Sequence, residues 1–259
     1  EKVERDAFDH WLDANYVQPY NIRIAYRIED VETDFDYNVI PADLKKSKQM
    51  AILLKHLWLE AYTEVARDGV HFIRTTAPKH FHFIGSAEHN PGENTIRLGV
   101  AEGGKKITIT EVNNLDPYNI IYQNFFNTVH HEFGHVLHQT VNYPTEFRTI
   151  SAADYAPTTW FNRNPTQAAQ LGFVSNYAGS QHQEDFVEVL ARYLTRTDTE
   201  WNAIMDVAGE EGRTKILQKL EIVKTYMKVS WGVDLDRLKT VVQRRANEIQ
   251  YMDLEELDF

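Results

Sequence analysis

The sequence predicts an α+β fold: a small sheet in the first half, a long buried helix near the middle, and a mainly helical second half. Three observations carry that expectation. Short apolar or alternating runs bounded by glycine and polar turns recur before residue 112, as strands do. Between about 119 and 140 the chain is heavily apolar, with Asn, Gln and Thr interspersed, the pattern of a mostly buried helix. After residue 183 the apolar positions recur at helical spacing almost to the end.

Taken in order, Ile22, Ile24, Tyr26 and Ile28 alternate with polar residues, so Tyr20 to Ile28 reads as a strand. Pro41 to Arg67 carries the helical stripe Leu44, Met50, Leu53, Leu54, Leu57, Trp58, Ala61, Tyr62 and Val65, ended by Asp68-Gly69. His56 lies on that helix as a surface or packing residue. His71-Phe72-Ile73, Phe81-His82-Phe83-Ile84, Thr95 to Val100 and Lys106 to Val112 read as further strands, with Gly103-Gly104 turning between the last two. Asp116-Pro117 opens the central helix, a carboxylate near the cap and a proline in the first turn. Residues 141–182 mix Pro144, Pro157, Pro165 and Gly172 with Tyr143, Phe147, Tyr155, Trp160, Phe173 and Tyr177, which reads as loops and short helices packed around a site. Helices over 183–194, 199–207, 213–231 and 235–249 complete the chain.

Composition narrows the function. The 259 residues, 42% hydrophobic, suffice for one large domain or two lobes. A net charge of −11 argues against a nucleic-acid-binding surface, which normally shows a basic face. With no cysteine, thiol nucleophiles, disulfides and Cys-ligated zinc are excluded. There is no apolar run of about 18 residues and no secretory leader. The start at Glu1 reads as a mature or trimmed form.

His131-Glu132-Phe133-Gly134-His135 carries the chemistry. Residues four apart on a helix share a face, about 5–6 Å between Cβ atoms, so His131 and His135 can bind one zinc ion through ring nitrogens. Glu132 then sits beside the metal, where its carboxylate can take a proton from a zinc-bound water and later give it to a leaving group. Burying these three polar groups in an apolar helix is costly without partners, and a metal supplies one. Catalytic zinc usually takes three protein ligands, so another His, Asp or Glu is expected. The metzincin arrangement needs a glycine and a third histidine where this chain has His138 and Val141, and it fails.

The segment Gln183 to Leu194 supplies the alternative. Phe186, Val187, Leu190, Ala191 and Leu194 recur at helical spacing, and Glu184 and Glu188 share a face beside them. Glu184 is assigned to the zinc and Glu188 to a hydrogen bond that orients a ligand histidine. Asp185, about 100° around the helix from Glu184, is the minor rival. His182 reads as a substrate contact.

His131 to Gln139, followed by Tyr177-Ala178-Gly179 and Glu184-Asp185-Phe186-Val187-Glu188, resembles the gluzincin group of zinc metallopeptidases. The spacing of Tyr177, Glu184 and Glu188 is similar to that of the catalytic domain of anthrax lethal factor. More closely, the chain looks like the zinc-binding metallopeptidases found as lipoproteins of Bacteroidetes, the substrate-import-associated zinc metallohydrolases. The marks are Pro19-Tyr20-Asn21-Ile22, Ala101 to Ile107, His130 to Gln139, and Gly172 to Ala178 leading to Glu184-Asp185-Phe186.

The resemblance implies a zincin-like metalloprotease fold, a small mixed sheet with an active-site helix plus a helical C-terminal lobe. One catalytic domain would span 1–259, with an α/β lobe over 1–140 and a helical lobe over 141–259 meeting at the metal. It also implies that Tyr177 donates a hydrogen bond to the oxyanion of a tetrahedral intermediate, with Tyr155 and Tyr143 as alternates. The edge strand near Leu98 to Ala101 would pair with an extended peptide. It further implies a cell-envelope, outer-membrane lipoprotein whose lipid anchor lies outside this sequence, associated with an import system. The expected activity is zinc-dependent cleavage of amide bonds in a peptide or protein. The rival is a non-catalytic or structural-zinc accessory that binds substrate for nutrient import.

Overall fold

In the computed structural model, residues 4–27, 39–87, 96–101, 104–121 and 124–258 are described. The first described element is a helix absent from the sequence-based expectation. Asp6 caps α1 (Ala7–Leu12), accepting from the Asp9 amide at 2.9 Å while Asp9 returns a bond of 2.8 Å. Helical chain continues through a π turn, Asp13–Val17, to Tyr20, and left-handed Asn21 stops it. Only Arg23–Ala25 (β1) is extended, so the strand expected from Tyr20 shrinks to its middle. Pro19 stands in the first turn of the last helical segment, where its missing N–H is no loss. Ile28 lies outside the described residues.

Asp43 caps α2 (Leu44–Leu54), a π turn occupies Lys55–Leu59, and α3 (Glu60–Val65) completes the long helical run expected over 41–67. The π turn widens the buried face, so the consecutive Leu57, Trp58 and Leu59 are all inside. His56 packs at part-buried positions, its Nε2 3.0 Å from the Arg245 carbonyl. Residues 71–73 are not a strand. They belong to α4 (Gly69–Thr76), in which the Phe72 amide bonds the Asp68 carbonyl and the hydroxyl of Thr76 bonds back to Phe72. Three apolar-rich residues are too few to separate a period of two from one of 3.6.

β2 (His80–Phe83), β3 (Ile96–Ala101) and β4 (Gly104–Ile109) join β1 in a mixed sheet of order β1-β2-β4-β3. β1, β2 and β4 run parallel; β3 is an antiparallel edge paired from Ile96↔Ile109 to Ala101↔Gly104. Gly103 of the expected turn lies outside the described residues, as do Thr95 and Glu102, while Gly104 opens β4. The strand expected to reach Val112 stops at Ile109, and Val112–Asn114 form a 3₁₀ turn.

The central helix starts later than its Asp-Pro signal. Asp116 closes a turn, its carboxylate accepting from the Tyr118 amide at 3.3 Å and its carbonyl from the Asn119 amide at 3.1 Å. Such local side-chain bonds compete with helix initiation. Helix α5 runs Phe125–Thr140, just after Asn124 in left-handed conformation. Residues 141–182 hold α6 (Phe147–Ile150), α7 (Pro165–Gln170) and two 3₁₀ turns, as the proline and aromatic mixture predicts. Then come α8 (His182–Thr195), α9 (Asp198–Val207), α10 (Gly209–Trp231) and α11 (Leu235–Glu248).

The chain divides into two compact units, one of residues 1–64, 68–132 and 245–259, the other of 65–67 and 133–244. In the first, Trp58 packs on Phe81 of the sheet at 5.5 Å, and Asp9 accepts from Arg27 and Tyr26 to tie α1 to the end of β1. In the second, Phe186 is the hub, stacked on Tyr143 at 4.2 Å and edge-on to Phe147 and Tyr226. No helix among the described residues is long and apolar enough to cross a membrane.

Candidate metal centre

α5 buries Phe126, Val129, Phe133, Val136 and Leu137, and the same helix carries the histidines. The periodicity separates them. His130 faces the core between Tyr62 (5.9 Å) and Phe126 (5.7 Å), where burial lowers its pKa to about 3 and keeps it neutral. His131, one residue on, is 7% exposed, and His135 is one turn further along the same face.

α8 begins at His182 after extended Gln181, so Glu184 and Asp185 stand in its first turn, where the helix dipole favours carboxylates. Glu184 Oε2 lies 3.1 Å from His135 Nε2. His131, His135 and Glu184 each offer a donor atom, and all three lie within 4.8 Å of one another. Two imidazole nitrogens and one carboxylate oxygen form a donor set that catalytic zinc uses.

The close approach of the two helices depends on Gly134. A methyl group there would fall 2.9 Å from Val187 Cγ1 and 3.1 Å from Leu190 Cδ2. Gly134→Leu should therefore cost about 1–3 kcal/mol through overpacking. Zinc affinity should fall with it, because α8 carries Glu184. Thermal melting and chelator competition measure the two effects, and an unchanged affinity would show that α8 does not need this glycine.

A model of the family described as "Putative zinc-binding metallo-peptidase" matches residues 1–236. The chain belongs to that family. A crystal structure of a protein titled a putative zinc-binding metallo-peptidase, from Bacteroides caccae, is similar throughout: 46% identity, TM-score 0.88, and full coverage of both chains. No curated protein matches. The α+β architecture with its small mixed sheet is thus that of this zinc-binding metallo-peptidase family, and His131, His135 and Glu184 are residues that could hold its metal.

The other candidates fall at distinct places. Asp185, the rival ligand, is fully buried and engaged elsewhere, with Lys219 Nζ 2.8 Å from its Oδ2 and the Tyr155 hydroxyl donating to the same oxygen at 2.6 Å. Burial pushes the Asp185 carboxyl up and the Lys219 ammonium down, and their mutual attraction opposes both shifts. Glu188 is 5% exposed and accepts from Arg192 Nε at 3.0 Å, which offsets its repulsion with Glu184 one turn away. Tyr177 begins a 3₁₀ turn, 38% exposed, its ring edge-on to Trp160. Tyr143 places its hydroxyl 2.6 Å from His182 Nδ1, and burial and Arg148 lower the pKa of His182.

Two features escaped the sequence. Lys219 lies mid-helix among other lysines, and nothing local marks it as 0% exposed. His138 Nε2 lies 2.9 Å from His135 Nδ1, and the spacing of three residues on α5 was its only signal.

Proposed function

We propose that the chain is a zinc-dependent peptidase of gluzincin type that cleaves amide bonds in peptides or proteins. The observation that carries this is the convergence of His131, His135 and Glu184 within 4.8 Å, with Glu132 next to His131 on α5. Zinc held there would polarise the substrate carbonyl and lower the pKa of a water to about 7. Glu132 takes the proton from the attacking water and passes it to the leaving amine. The Tyr177 phenol donates to the oxyanion that develops on the former carbonyl. Glu188, held by Arg192, supports the ligand arrangement from the next turn of α8. The position of β3 at the edge of the sheet suits backbone pairing with an extended substrate. The motif likeness to envelope lipoproteins supports action at the outer membrane beside a nutrient import system.

Incubating zinc-loaded protein with a peptide library, read by mass spectrometry, tests the activity. Cleavage that stops on chelation and returns with zinc is expected. A zinc-loaded protein that leaves the whole library intact would sink the peptidase reading and put the substrate-binding accessory ahead. For the ligand assignment, Glu184→Ala should weaken zinc binding by more than about 100-fold, beyond the roughly 10–100-fold typical of outer-sphere changes. Isothermal titration with zinc measures it, and wild-type affinity in that variant would remove Glu184 from the set.

A further inference from the structure

His135 has two ring nitrogens, and the structure gives each a different neighbour. Nε2 faces Glu184 Oε2 at 3.1 Å, so it is the nitrogen turned toward the cluster of donors. Nδ1 lies 2.9 Å from Nε2 of His138, with the two rings edge-on at 5.1 Å. An imidazole that gives one nitrogen to a cation carries its proton on the other and needs an acceptor for it. A neutral imidazole nitrogen is such an acceptor.

His138 is built into place. It is 9% exposed, and its ring meets Phe186 edge-on at 6.2 Å and Tyr143 edge-on at 5.5 Å. Tyr143 is itself stacked on Phe186 at 4.2 Å and held at its hydroxyl by His182 Nδ1. Both histidines stand on α5 three residues apart, so the helix sets their relation.

We propose that His138 is a positioning residue that orients the His135 ring and fixes its tautomer, through a hydrogen bond donated by His135 Nδ1 to His138 Nε2. The proposal rests on the reading of His135 as a metal ligand. It gives His135 an imidazole partner, whereas spacing alone had suggested Glu188 for a ligand histidine.

A matched pair of variants tests it. His138→Gln keeps an acceptor oxygen, while His138→Met has almost the same shape without one. Zinc affinity is measured by competition with a chromophoric chelator, and the Tm of the zinc-free proteins reports folding. The expected result is a loss of about 10–100-fold in His138→Met and recovery of most of it in His138→Gln, at similar zinc-free Tm. Equal affinities in the two variants would overturn the proposal, whether both match wild type or both are weak. The zinc-loaded wild type supplies a readout that needs no variant: ¹⁵N-edited imidazole spectra should show His135 protonated at Nδ1 and His138 bare at Nε2. A proton on His138 Nε2 would overturn it as well. His135→Ala is the control for the underlying reading. If that variant binds zinc like wild type, the ligand assignment itself falls; if it is weak while His138→Met is unaffected, only the role of His138 does.

Discussion

Glu132→Gln should lower hydrolysis by about 10²–10⁴-fold while leaving zinc content and folding unchanged. Gln has nearly the shape of Glu and can keep hydrogen bonds on α5, so the helix and the neighbouring histidines stay in place. What it lacks is a basic oxygen to receive a proton from the attacking water. Position supports the role: Glu132 directly follows His131 on α5 and is partly exposed where its neighbours Phe133 and Gly134 are buried. Zinc analysis of the purified variant beside its initial rate on a cleaved peptide separates the two functions. If the variant keeps zinc and cleaves at the wild-type rate, Glu132 is not the proton acceptor. If it loses zinc as well, the carboxylate supports the metal site rather than the chemistry alone.

Lys219→Met should destabilise the protein by about 3–5 kcal/mol, the usual result of removing one partner of a buried ion pair. Both Lys219 and Asp185 have fully buried side chains. The ammonium also donates to the Gly172 carbonyl at 2.7 Å and lies 4.4 Å from the centre of the Phe173 ring. Without it, Asp185 keeps only the Tyr155 hydroxyl of its two charge-stabilising partners in this network, and the carbonyl of Gly172 loses a donor. Met fills much of the volume of the Lys stem, so the loss reports charge more than packing. The Tm should fall by on the order of 10 °C, as expected for a domain of this size. Adding Asp185→Leu should restore a large part of the loss, because replacing both charges by apolar groups removes the desolvation cost that strands one of them. Urea unfolding of the single and double variants decides the matter. A single variant within about 1 kcal/mol of wild type would mean that water or backbone groups take over from Lys219.

The difference between these residues shows what a linear pattern conveys. His131 and His135 were legible because four residues make one helical turn, and the same rule placed Glu184 and Glu188 on a shared face. The helices over 183–249 were legible because their apolar stripes repeat for several turns. Residues 71–73 were misread because three positions do not define a period. The early start assigned to the central helix failed for another reason, since the Asp116 carboxylate has a local turn to close. The helical chain over residues 7–20 went unread although its buried Phe8, Leu12, Tyr16 and Tyr20 recur every four residues, with the alternation that follows Tyr20 read as a strand instead.

By itself the sequence offered His131 to His135 as a candidate metal site with Glu184 as third ligand, excluded the metzincin arrangement and laid out most of the sheet and of the later helices, because these follow from spacings within single elements. Only the tertiary structure brought Glu184 beside the two histidines, paired its rival Asp185 with a lysine 34 positions away, and set His138 Nε2 2.9 Å from His135 Nδ1. It also gave Gly134 its purpose. Those outcomes depend on how separate helices pack and which rotamers survive burial, and the free energy of a buried charge or hydrogen bond belongs to the pair and not to either residue's neighbours in the chain.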